Sequence, residues 1–237
     1  MTFEALGYAF IGGLLPALLW LYFLLREDAR NPEPRLMILI AFVAGMAAVP
    51  LVLPIEQLAA ARLAPGLPVI VAWAATEEVM KYLAAAVAVL WRWRIVNEPP
   101  DLVIYMLTVA LGFAALENTL FLIAPLSAGH YLAGIVTGNL RFVGSTILHI
   151  VASSAIGFAL AFSFSSSRPV RMLAATAGLI LAVVLHTLFN VLIIARDVSH
   201  VLAAFFTVWT AAVVFFALFE ILKYLRYGRL QKTPANL

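Results

Sequence analysis

Long apolar runs separated by short polar connections dominate the chain. They extend over Ala5 to Leu25, Leu36 to Ile55, Leu67 to Trp91, Leu102 to Pro125, Asn139 to Phe164, Arg171 to Ala195 and Ser199 to Leu222. Each holds about 20 residues or more, which at 1.5 Å per residue lets a helix cross the hydrocarbon core of a bilayer. The pattern predicts an all-α fold, a polytopic membrane helix bundle of about seven transmembrane helices. The connections carry turn residues: Asn31-Pro32-Glu33-Pro34, Pro65-Gly66, Pro99-Pro100 and Ser165-Ser166-Ser167-Arg168-Pro169. The first run follows Glu4 rather than a basic segment and ends in Arg26 without a small-residue cleavage site, so it reads as a retained helix. No internal repeat or linker interrupts the series. One transmembrane domain over residues 1–222 and a short basic cytoplasmic tail over 223–237 are expected.

Composition agrees with this reading. Of 237 residues, 65% are hydrophobic and 11% charged, where a soluble domain carries about a quarter charged. An integral, multi-pass membrane protein in contact with the lipid bilayer is expected, with no soluble domain and no nucleic-acid partner despite a pI of 9.4. Cysteine is absent, which removes disulfides, thiolate metal ligands and a cysteine nucleophile. The basic residues set the orientation. Arg26, Arg30, Arg35, Arg92, Arg94, Arg168, Arg171, Lys223, Arg226, Arg229 and Lys232 flank one side of the spans, against only Arg62 and Arg196 on the other. That bias predicts an N-terminus outside and a C-terminus in the cytoplasm.

Two further basic residues, Lys81 and Arg141, fall within the runs, together with Glu77, Glu78, Glu117, His149, His186 and Asn190. An ionised side chain at mid-bilayer costs at least about 2.5–3.5 kcal/mol, so each needs a partner or a task. Counted from the outer ends of the expected helices, Glu77, Glu117, His149 and His186 all lie roughly 12–15 Å deep. Four helices thereby place ionisable groups in one layer, which predicts a single polar cluster in the outer half of the bundle. Lys81 lies one turn from both Glu77 and Glu78, Asn190 shares a face with His186, Ser145 and Ser153 flank His149, and Phe113 lies one turn below Glu117. Arg141, near the expected outer end of its helix, is expected to snorkel to the interface. A carboxyl crowded by like charges can serve as a general base or acid near neutral pH.

These residues sit in motifs that resemble the PrsW-type intramembrane proteases, distant relatives of the CAAX-processing and Abi membrane proteases. The matching pieces run in order: Arg26 to Arg35 after the first run, Glu77-Glu78-Val79-Met80-Lys81 for the E-E-x-x-K element, Phe113-Ala114-Ala115-Leu116-Glu117-Asn118 for F-x-x-x-E-N, His149 with Gly157, and His186-Thr187-Leu188-Phe189-Asn190 for H-x-x-x-N. Leu102 departs from the glycine usual after the aspartate. The resemblance implies an intramembrane endopeptidase of a prokaryotic plasma membrane. Its substrate would be a membrane protein or peptide, for example a single-span anti-sigma factor cut on the extracytoplasmic side. A glutamate mechanism is implied. Glu77 or its neighbour Glu78 activates water held with His149, Glu78 and Lys81 tune it, His186 and Asn190 stabilise the oxyanion, and Glu117 serves the leaving amine or a histidine tautomer. Lys81, Phe113 and Asn118 support the site.

No cofactor is expected on this scheme, yet zinc is possible, held by Glu77, Glu117, His149 and His186. Other protease chemistries fit less well. Asp28, Asp101 and Asp197 all fall in connections, no histidine is followed by glutamate as H-E-x-x-H requires, and a Ser145–His149 dyad on one helix rarely has attack geometry. Two alternatives from other classes are a non-catalytic membrane scaffold and a proton- or ion-coupled carrier. The carrier suffers from the missing inverted repeat.

Overall fold

The computed structural model describes residues 3–27, 31–91, 95–195 and 197–230, with side chains to residue 226 in the last stretch. Arg30, Arg92, Arg94, Arg196, Lys232 and the side chain of Arg229, all used above to predict orientation, lie outside the described residues. Seven helices fill the described chain. They are α1 (Phe3–Glu27), α2 (Arg35–Arg62), α3 (Leu67–Ala85, extended by a π-helical turn, Ala86–Leu90), α4 (Pro99–Ser127), α5 (Tyr131–Phe162), α6 (Arg168–Ile194) and α7 (Val198–Leu230). Six of them are long and apolar enough to cross a membrane. The seventh, α3, differs in carrying Glu77, Glu78 and Lys81 within 19 residues.

Local chemistry explains the helix starts. Prolines occupy the first turn of α3, α4 and α6, where their missing N–H would have no partner in any case. Gly66 turns the chain into α3 at φ 97°, a conformation that side chains disfavour. Asp101, expected in a connection, instead lies in the first turn of α4 and closes it by accepting the N–H groups of Asn97 (2.8 Å) and Glu98 (2.9 Å), while Asp28 lies outside the described residues.

The bundle is built around α4, whose residues Pro100 to Ala115 are buried without a break. Helix α1 lays a stripe of small residues, Ala5, Ala9, Gly13 and Ala17, one turn apart and all buried, against α4. Helix α2 crosses α4 closely at two glycines. A Cβ on Gly112 would lie 1.9 Å from the Phe42 carbonyl oxygen, and one on Gly45 2.0 Å from that of Val109. Near the start of α4 a second polar group forms. Tyr105 donates to Glu33 of the α1–α2 connection, Asp101 hydrogen-bonds Glu33, and Arg226 of α7 reaches Glu98 at 3.4 Å.

Three boundaries differ most from the sequence pattern. Helix α5 begins at Tyr131, eight residues before the expected Asn139, because Gly134, Thr137, Gly138 and Asn139 look like loop residues in isolation while packing draws them into helix. Helix α2 continues past Ile55 to Arg62 and so contains Glu56. At the other end, α7 continues through Lys223 and Arg226 to Leu230, so the basic stretch begins within a helix.

Candidate active site

Six ionisable side chains from α3, α4, α5 and α6 meet in one cluster, as the depth count predicts. Glu78 and Lys81, both fully buried, pair at 2.6 Å within one turn of α3. Burying two charges costs several kcal/mol each, an expense offset only if the remaining hydrogen-bonding capacity is met. Here it is. Glu78 also accepts from His186 Nδ1 at 2.8 Å and from Ser153 Oγ at 2.9 Å. Lys81 Nζ lies 2.8 Å from His149 Nδ1, 3.5 Å from Glu77 Oε2 and 4.6 Å from the centre of the Phe113 ring.

The partners assign the histidine protons. An ammonium can only donate, so His149 accepts at Nδ1 and donates from Nε2 to Glu117 Oε2 at 2.9 Å. His186 donates from Nδ1 to Glu78, which turns its Nε2 toward Glu77 Oε1 at 3.8 Å. The two rings meet edge to face with centres 5.4 Å apart, and Phe113 packs beside His149 at 5.5 Å. Each imidazole is thereby backed by a carboxylate that fixes its tautomer.

Arg141 corrects the sequence reading. It does not snorkel to the interface, because α5 extends well beyond it and a π-helical turn, Arg141–Ser145, carries its side chain inward. The guanidinium binds Glu117 Oε2 at 2.6 Å, Asn118 Oδ1 at 2.5 Å and Ser145 Oγ at 3.1 Å, and stacks 3.8 Å above the ring of Phe121. Asn118 in turn donates to Thr146 at 3.0 Å. The Ser145–His149 dyad has no hydrogen bond among the described residues, since both nitrogens of His149 are engaged by Lys81 and Glu117. Ser153, half noticed in the sequence as a neighbour of His149, turns out to serve Glu78.

A cavity of about 840 Å³ opens onto this cluster. Glu77, Glu117, His149, His186 and Asn190 line it, as do apolar side chains such as Val52 and Phe189, so the half-buried Asn190 joins the site as its spacing from His186 predicts. Glu78 and Lys81 stand behind this wall. Glu77 Oε2 is buried and has no hydrogen-bond partner.

Ligand atoms of Glu77, His149 and His186 lie within 4.8 Å of one another, which makes these residues a possible metal-holding group. One carboxylate and two imidazoles suit zinc with a fourth position open, and the Glu77 oxygen that lacks a hydrogen bond fits that role. The donors come from three different helices, one each. That is why no i, i+4 histidine pair betrays them in the sequence. Glu117, the fourth zinc candidate from the sequence, is not in the group. It stands behind His149 instead.

No curated protein and no solved structure matches this chain. The model of the PrsW family, described as intramembrane metalloproteases, matches residues 33–219, which takes in every residue of the cluster. A hydrolase acting on membrane-embedded substrates in lipid accounts for both the bundle and the largely apolar cavity that opens onto its polar cluster, and the protein belongs to the PrsW family of intramembrane metalloproteases.

Proposed function

We propose that the chain hydrolyses a peptide bond in a membrane-embedded or membrane-proximal segment, presented to Glu77, His149 and His186 from the 840 Å³ cavity. The observation that carries this reading is the buried Glu77 oxygen without a hydrogen-bond partner, facing a largely apolar cavity. A carboxylate so placed takes a proton from water during attack on the scissile carbonyl and passes it to the leaving amine. Asn190 donates to the developing oxyanion, joined by His186 when its second nitrogen carries a proton. Glu78, Lys81 and Ser153 hold His186 in place. Glu117, paired with Arg141, orients His149 rather than serving the leaving group.

A divalent ion held by Glu77, His149 and His186 would supply Lewis-acid polarisation of the carbonyl and a more acidic water. The family description supports this form of the site. A metal-free glutamate mechanism draws its support from Lys81, whose ammonium lies against His149 Nδ1 and would have to yield that nitrogen to a metal. With the orientation predicted from the basic residues, the cut falls on the extracytoplasmic side. Single-span membrane proteins, with anti-sigma factors as the family resemblance implies, are the substrate class we infer.

Cleavage of tagged single-span reporters by purified protein in lipid tests the reading. Wild type should yield product and Glu77→Gln should not. Loss of product on chelation, restored by zinc, would establish the metal form, and product untouched by chelator the metal-free one. Full cleavage by both Glu77→Gln and Glu78→Gln would defeat the proposal.

A further inference from the structure

Among the described residues Glu56 is the one carboxylate lining the cavity that the cluster does not engage. It lies in the outer part of α2 that the sequence pattern left in a connection, half-buried, and its carboxylate has neither a hydrogen bond nor an ion pair among the described residues. Its level is well defined, because Trp73 Nε1 of α3 donates to the Glu56 carbonyl oxygen at 3.0 Å. Trp73 and Glu77 are i, i+4 on α3 and line the same cavity. Glu56 therefore stands about one helical turn, roughly 5.4 Å, from Glu77 toward the α2–α3 connection.

Charge in the cavity wall is unbalanced at that level. Among the described residues Arg141 is the one Lys or Arg that lines the cavity, and it is committed to Glu117, while Lys81 behind the wall pairs with Glu78 and Glu77. An extended peptide rises about 3.3 Å per residue, so a residue about two positions from the scissile bond would come level with Glu56. The wall at this level is apolar, with Leu53 one turn before Glu56 on α2 and Trp73 bonded to the Glu56 carbonyl oxygen. Such a wall suits the aliphatic stem of lysine or arginine while the carboxylate meets its charged head.

We infer that Glu56 is a specificity-determining residue. It forms a subsite for a cationic side chain about two residues from the scissile bond, on the side facing the α2–α3 connection. This rests on the protease reading above and names the substrate class more narrowly, as membrane segments with lysine or arginine just outward of the cut.

The test uses the full chain in lipid and three single-span reporters that differ only in carrying Lys, Leu or Glu at that position, with the neighbouring positions scanned. Wild type should rank them Lys, Leu, Glu, with kcat/KM about tenfold or more apart between Lys and Glu, since such charge complementarity separates partners by at least that factor. Glu56→Gln should erase the ranking and Glu56→Lys should invert it, each read as the ratio of kcat/KM between the Lys and Glu reporters. A lysine preference that survives in Glu56→Gln, or no preference in wild type, would overturn the inference and leave the protease reading standing. Failure of wild type to cut the Leu reporter as well as the others would overturn both.

Discussion

Helix α4 carries buried polar groups at two levels. Near its end lie Glu117 and Asn118, and near its start Asp101 and Tyr105, roughly 24 Å away along the helix axis. Both groups bury carboxylates, and both recruit partners from other helices. Each leaves a buried atom without a hydrogen bond, Arg226 Nε at one level and Glu77 Oε2 at the other, and they differ in the open space beside it. At the start of α4, Asp101 caps two N–H groups and Tyr105 donates to Glu33. No residue of that group lines the large cavity. At the other level a carboxylate oxygen is buried without a hydrogen bond and a cavity gives access to it. A buried charge in a membrane bundle therefore does not by itself mark chemistry. A group kept unsatisfied beside open space does, because its desolvation cost is tolerated without a structural return.

This contrast can be broken by substitution. The largest effect is expected for Glu77→Gln, a loss of about 10²–10⁴-fold in reporter cleavage with thermal unfolding in detergent unchanged. Arg141→Met comes next, at about 10–100-fold in activity or zinc affinity. Lysine at the same position should recover part of it, since the charge returns without the fork that spans Glu117 and Asn118. Replacing Tyr105 by Phe should act on the other side of the comparison. It leaves the buried Glu33 short of a donor and costs about 1–3 kcal/mol of stability, while turnover per folded molecule stays at the wild-type value. A stable Tyr105→Phe protein that no longer cuts would erase the distinction between the two groups. The smallest effect is expected for the Asp101→Asn cap, about 1 kcal/mol, read as a lowered unfolding temperature.

The regions that were legible in the sequence share a physical cause. Seven apolar runs announce seven helices because lipid demands an unbroken apolar length, and the ionisable layer was visible because charges are so rare there that their depths can be compared. Glu77, Glu78, Lys81, Glu117, His149 and His186 all meet as that layer predicts. Arg141 and Glu56 were misplaced for one reason. Both lie near expected helix ends, where weak helix formers before Arg141 and the polar pair Glu56-Gln57 after Ile55 interrupt the apolar run and hide the true boundary. Which nitrogen of each histidine faces which carboxylate was also beyond reach. It depends on how four helices are rotated about their axes, and an error of one residue in packing register exchanges the partners.

The π-helical turn at Arg141–Ser145 gives α5 two phases in one rod. Such a turn accommodates one residue more than an ordinary turn, so the segment before it is rotated by about 100° relative to a uniform helix. Deleting a single residue there would let α5 close into an unbroken α-helix with His149 still held by Glu117, yet Arg141 would swing a quarter turn or more away from both. In this protein the spare residue works as a splice that lets Arg141 and His149 reach Glu117 from one helix, and the length of the turn, rather than its side chains, is what keeps both in reach.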